Sequence, residues 1–234
     1  MTVYGIDFSG ARDAARRTWI TRLHDGVVTW VKREAELGEP LVSFLASAGC
    51  VVGIDAPLSL PADLMDGGWE QWAREFTERY ATPEEFRDDC WRQAGCERRR
   101  TVEQEAMAPM SAWNRRLYQQ TWRVMRELVS PLLRQGRLVV VPQQTPRAGV
   151  TNLIEVCPAS TLQRRGLRVP YKRSEPEYRA ARERLANEFG APAVAIDDPG
   201  GDALDSVIAA RVAADALRAG DWHEPVPGEG RIYF

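Results

Sequence analysis

Two short apolar runs end alike, and this pair constrains the fold more than any other feature. "VYGID" occupies residues 3–7 and "VVGID" residues 51–55. Each reads as a strand covered by other structure, and each closes on a carboxylate. Residues 18–23 and 27–32 read as two further strands joined by His24-Asp25-Gly26, because Asp-Gly adopts the positive φ angles of a tight hairpin turn. The opening is then a three-stranded antiparallel meander. Leu41, Phe44 and Leu45 recur at helical spacing, with Gly49 placed to end that helix. A strand, a crossover helix and a new strand predict parallel pairing of the two Gly-Ile-Asp strands. Asp7 and Asp55 then emerge at one sheet edge, about 5 Å apart.

Pro57 and Pro61 end the fourth strand and open a long helical stretch. Helices are predicted over 62–80, from a capping box at Thr82-Pro83-Glu84-Glu85, and over 111–135 with a kink or break at Pro131. Strands follow at 138–141 and 151–156. A second capping box, Ser174-Glu175-Pro176-Glu177, opens a helix reaching Phe189. Residues 202–217, rich in Ala and Val, form the last clear helix, and 231–234 add a short edge strand. The expected organisation is a single α/β domain over 1–234, with a mostly helical insertion at about 58–137.

A length of 234 residues, 44% of them hydrophobic, suits one elaborated domain. No apolar run approaches the roughly 18 residues of a membrane helix, and no signal peptide opens the chain. A cytoplasmic protein without membrane association is expected. Cys50, Cys90, Cys96 and Cys157 lack C-x-x-C spacing and read as free thiols in a reducing compartment. With only His24 and His223 as nitrogen ligands, zinc is not expected. The net charge of −2 argues against a general nucleic-acid coat protein. Arginines are nevertheless clustered, at 98–100, at 115, 116, 123 and 126, and around 164–173, whereas Lys32 and Lys172 are the only lysines. Such stripes permit a phosphate-bearing ligand, and solvated helix faces explain them equally well.

The acidic residues gather on this scheme. Glu155 falls near the end of the strand at 151–156. Asp202 and Asp205 are three apart and share a face of an otherwise small, apolar helix. Singly, Asp7 and Asp55 could be turn formers and Asp202 a helix cap. Asp205 inside an apolar helix and Glu155 inside a strand have no such ordinary role. Carboxylates converging without matching cations repel one another, and a divalent cation removes that cost. Oxygen-only donors select Mg2+ or Mn2+, and paired ions can activate a water and stabilise the leaving oxygen of a phosphodiester. In the insertion, Arg116 and Gln120 share a helix face, with Asn114 further round. They form either a hydrated surface or a clamp for a phosphate or base. These three, with Arg100 and Ser9, are the candidates for holding substrate. Trp69, Trp72, Trp91, Trp113 and Trp122 read as core first and as base-stacking platforms second.

The segments "GIDFSGA", "GIDAPLSLP", "IEVCPASTL" and "GDALDSVIAA" resemble an uncharacterised domain-of-unknown-function family described as predicted RNase H-like nucleases. "APMSAWNRRLYQQTW" and the closing "EGRIYF" extend the likeness over nearly the whole chain. The D-x-x-D-[AS] helix motif is close to that of Holliday-junction resolvases. The resemblance implies a ribonuclease H-like mixed five-stranded sheet in the order 3-2-1-4-5. It implies metal-binding and catalytic roles for Asp7, Asp55, Glu155 and Asp205, with Asp202 as a further metal ligand. Resolvase-like members often carry His where this chain has Gly201, which weakens a general-base assignment there. The expected activity is a two-metal nuclease or phosphodiesterase acting on nucleic acid or a nucleotide through the arginine-rich insertion. Two alternatives stand beside it. One is an actin- or sugar-kinase-like phosphotransferase with Ser9 and Gly10 at the phosphates. The other is a non-catalytic RNase H-like binding module.

Overall fold

A computed structural model describes residues 1–220, 222 and 225–234, so His223 lies outside the described residues. Strands β1 (Thr2–Asp7), β2 (Trp19–His24) and β3 (Val27–Arg33) form the antiparallel meander. Asp25 and Gly26 take φ of 47° and 79°, the left-handed pair that a two-residue hairpin turn requires. Helix α1 (Leu41–Ala48) ends at a left-handed Gly49 and returns the chain to β4 (Val51–Asp55). Strands β1 and β4 pair in parallel with Gly5 opposite Gly53 and Asp7 opposite Asp55.

Between β4 and β5 the regular elements are helical. They are α2 (Trp69–Arg79), α3 (Pro83–Ala94), α4 (Thr101–Glu105), α5 (Tyr118–Arg123) and α6 (Ser130–Arg134), with short turns between them. The helix expected over 62–80 is shorter: Gly67 and Gly68, both at positive φ, separate a turn at Ala62–Leu64 from α2. The Thr82 capping box is present, with the hydroxyl accepting from Glu85 N and the Glu85 carboxylate accepting from Thr82 N. Pro131 does not break its helix. A π-helical turn, Val124–Val129, joins α5 to α6 and accommodates a ring that clashes with regular α geometry.

Strands β5 (Leu138–Val141) and β6 (Thr151–Val156) lead to α7 (Pro158–Arg164), α8 (Pro176–Phe189), α9 (Ala193–Asp197), α10 (Asp202–Ala219) and β7 (Ile232–Tyr233). The Ser174 capping box is absent: α8 starts at Pro176 behind an extended Glu175 that makes no side-chain cap. The sheet has seven strands, ordered β3-β2-β1-β4-β6-β5, with β7 paired to β6. This revises the expected five-strand order. The strand beside β4 is β6, and β5 pairs outside it, because the loop at 142–150 carries the chain back to a parallel neighbour. Asn152 steadies that loop through Arg147 and Val150. Strand β7 pairs in parallel with Glu155 and Val156 of β6.

Alternation along the strands divides the core into two layers. Ile6, Ile20, Val52, Ile54 and Leu153 face α1 and the helical insertion. Val3, Leu23, Val51, Ile154 and Val156 face α8 and α10. Trp69, Trp72 and Trp113 belong to the insertion's core, whereas Trp91 is exposed. Helix α10 lies directly on β1 and β4. A Cβ on Gly5 would overlap Ala210 N and Ser206 O, and one on Gly53 would come within 2.6 Å of Ala209 O. Gly5→Ala should therefore cost about 3 kcal/mol or more, since backbone on both sides must move. Gly26→Ala, where nothing lies within 4 Å, should cost only the ~1 kcal/mol of left-handed strain. Urea denaturation midpoints measure both.

Candidate metal centre

The register of β1 and β4 sets Asp7 and Asp55 side by side at the carboxyl ends of parallel strands. Packing on Gly5 and Gly53 brings the first turn of α10 to the same edge, so Asp202 and Asp205 arrive from above. One oxygen from each of Asp7, Asp202 and Asp205 falls within a 4.8 Å group. Asp205 is 2% exposed and Asp7 9%. A cavity of about 540 Å³ opens over them, with Ser9, Arg116, Gln119 and Gln120 among its walls.

From the sequence, these carboxylates are expected to converge without matching cations. Two cations are in fact present, and sequence reasoning missed the pairing of both. Lys172 Nζ lies 2.6 Å from Asp205 Oδ2 and 3.5 Å from Asp202 Oδ1, and the Tyr171 hydroxyl donates to Asp205 Oδ1 at 2.5 Å. Glu155 lines the same cavity and grips Arg100, which donates from Nη1 at 2.9 Å and from Nη2 at 2.5 Å. Leu58 N adds a third donor to Glu155 at 2.9 Å. Arg100 also binds Glu103 and Ser59, and is 1% exposed. The rarity of lysine was the one available signal for Lys172, and the i,i+3 spacing of Arg100 and Glu103 the one for the ion pair.

The substrate candidates separate. Arg116 and Ser9 line the cavity, Arg116 on an exposed stretch. Gln120 also lines it, but its amide donates to the carbonyls of Phe8 (2.6 Å) and Asp55 (2.8 Å), tying the insertion to both acidic strand ends. Gly10 has to be glycine beneath it, because a Cβ there would sit 2.5 Å from Gln120 N. Asn114 braces the insertion by donating to Glu97 and accepting from Arg116 N. Arg100 reaches the cavity wall with its guanidinium fully engaged.

Burial dominates the electrostatics. It raises Asp7 well above the carboxylate range, and the charges of Asp205 and Asp55 add to it. Asp55 is pushed up to about 8, first by burial and then by Asp205. Asp202 is raised by burial against the pull of Lys172. Burial disfavours the Lys172 ammonium, but Asp205 and Asp7 outweigh it and hold its pKa above the ordinary lysine value. Burial, then the Asp55 charge, pushes Cys157 up to about 11, so it lines the cavity as a neutral thiol. Among the described residues no donor reaches the Asp7 or Asp55 carboxylate. Hard oxygen donors grouped within 4.8 Å at Asp7, Asp202 and Asp205, with Asp55 in register beside Asp7, fit a magnesium- or manganese-like cation.

A mixed α/β sheet with a four-aspartate pocket at the carboxyl ends of its parallel strands is the class that fold and site define. The chain belongs to the family described as "Protein of unknown function (DUF429)", whose pattern matches residues 5–230. No curated protein and no solved structure matches it. No helix among the described residues is long and apolar enough to cross a membrane.

At neutral pH the folded chain keeps a proton on Asp55 that the unfolded chain releases near pH 4. The folded state thus binds more protons between about pH 4 and 8, and its stability falls as pH rises through that window. Asp55→Asn removes the loss. In chelator at pH 8.5 it should be more stable than the parent by ~1–2 kcal/mol, with the gain vanishing towards pH 4. Thermal denaturation across this range checks it.

Proposed function

We propose that this chain is a ribonuclease H-like, metal-dependent phosphodiesterase that hydrolyses nucleic acid. The reading is carried by one observation: Asp7 and Asp55 lie in register on neighbouring parallel strands, with Asp202 and Asp205 beside them from α10. The meander leading into a parallel strand supports the ribonuclease H-like assignment, being the arrangement the resemblance implies. Magnesium or manganese, when bound, supplies the charge that activates a water and stabilises the departing oxygen. The protein's own groups position it. Asp7 and Asp55 offer the free carboxylates, Gln120 fixes the strand ends that bear them, and Arg116 offers a guanidinium to a phosphate across the cavity.

A neighbouring feature favours nucleic acid over a small nucleotide. An open groove of about 560 Å³ is lined by Arg87, Asp88, Trp91, Arg115 and Tyr118. Arg115 and Arg116 are consecutive, and each lines one of the two spaces. Trp91 is 37% exposed, and the Arg87 guanidinium lies 5.0 Å from the Tyr118 ring centre. Exposed aromatic faces among arginines suit the stacked bases of a single strand. The phosphotransferase alternative has less support, since Gly10 is accounted for by packing under Gln120 and the Ser9 hydroxyl accepts from Ala11 N.

Single-stranded DNA and RNA oligonucleotides should be cleaved with Mn2+ or Mg2+, and Asp7→Asn should lower the rate by roughly 10²-fold or more. A broad panel left intact with both metals would refute the proposal. Trp91→Ala should weaken oligonucleotide binding about tenfold, as the loss of one stacked base predicts. Fluorescence anisotropy reads that change.

A further inference from the structure

Resting on the metal-dependent reading above, we infer that Lys172 is the pocket's second cation. Its ammonium occupies the Asp205 and Asp202 oxygens that a second divalent ion would need, so the chain takes one such ion, at Asp7 and Asp55. The saturation of donors separates the carboxylates. Both Asp205 oxygens are engaged, Oδ1 by the Tyr171 hydroxyl at 2.5 Å and Oδ2 by Lys172 at 2.6 Å. Both Glu155 oxygens are engaged by Arg100. Of the described acids that line the cavity, only Asp7 and Asp55, neighbours in register, lack a protein donor to the carboxylate.

The placing of Lys172 is built into the fold. Arg182, 2% exposed, donates to the carbonyls of Tyr171 (2.6 Å) and Arg173 (2.8 Å), bracketing Lys172 on both sides. Gly201 clears the way at the start of α10, since a Cβ there would lie 2.8 Å from the Tyr171 ring and 3.1 Å from Lys172 Cγ. The glycine that stands where resolvase-like chains carry histidine is therefore needed to admit the tyrosine and lysine. An ammonium has three donors. Two point at Asp205 and Asp202, and with 49% of the side chain exposed the third can meet an anionic group entering the cavity. Lys172 is in these terms a positioning residue for the ion and a fixed positive charge for the substrate.

Manganese binding to the full chain tests this, counted by calorimetry and by the electron paramagnetic resonance of free Mn2+. One ion per wild-type chain, two per Lys172→Met chain and one per Lys172→Arg chain are expected. Two ions in the wild type overturn the inference and leave the metal-dependent reading standing. One ion in both wild type and Lys172→Met, with affinities within threefold, also overturns it. No ion in any chain overturns the metal-dependent reading and the inference with it. Should Lys172→Met fail to fold, the double variant Asp205→Asn, Lys172→Met removes both charges of the pair. It should retain one ion, and loss of all binding there overturns the assignment of that ion to Asp7 and Asp55.

Discussion

The contact between α10 and the two glycines of β1 and β4 is the constraint on which the site depends. A strand pair normally holds a helix at the distance its side chains dictate. Here Gly5 and Gly53 have none, and helix backbone at Ser206, Ala209 and Ala210 occupies the space a Cβ would take. Asp205 immediately precedes Ser206, and Asp7 and Asp55 lie two residues beyond the glycines. The acids are therefore only one or two residues from a backbone contact that cannot slide, and the Thr21–Ser206 hydroxyl pair at 2.7 Å fixes it further. Close packing of this kind resists displacement, which is what a site assembled from three separate elements requires.

The helical insertion closes the same edge from the other sheet face. Gln120 ties it to the last carbonyls of both acidic strand ends, and Arg100 carries Glu103 and Glu155 in a buried ion cluster below. Removing one partner of such a cluster leaves an uncompensated buried charge, which costs about 3–5 kcal/mol. The insertion is thus bound to the sheet by polar interactions as well as by its core. Arg116 thereby lines the same cavity as the aspartates.

Local signals were legible and distant pairings were not. The Asp25-Gly26 turn, the Gly49 helix end and the Thr82 cap each depend on a few adjacent residues, so the sequence displays them. The paired Gly-Ile-Asp strands were legible because a crossover helix dictates parallel pairing. The insertion of β6 between β4 and β5 was not, because two apolar strands of similar composition carry no mark of which lies inside. Ser174 failed as a cap because Pro176 holds Glu175 extended and starts the helix there. The partners of the acids were hidden for a different reason. Arg100 lies 55 residues from Glu155 and Lys172 33 from Asp205, and no periodicity links positions so far apart.

A purely structural account of the pocket would make its carboxylates ordinary buried acids. The chain shows what ordinary buried acids look like. Glu103 and Glu155 hold Arg100, and Glu229 accepts from Thr101 N. Each acid is matched to donors, as burial of a charge demands. Asp205 conforms too, through Tyr171 and Lys172. Asp7 and Asp55 do not. They are placed beside each other by strand register, raised in pKa first by burial and then by the charge of Asp205, and supplied with no donor. The same chain that satisfies these four acids leaves two adjacent ones unsatisfied in a 540 Å³ cavity. The cation proposed above would give that arrangement a reason that fold stability does not supply.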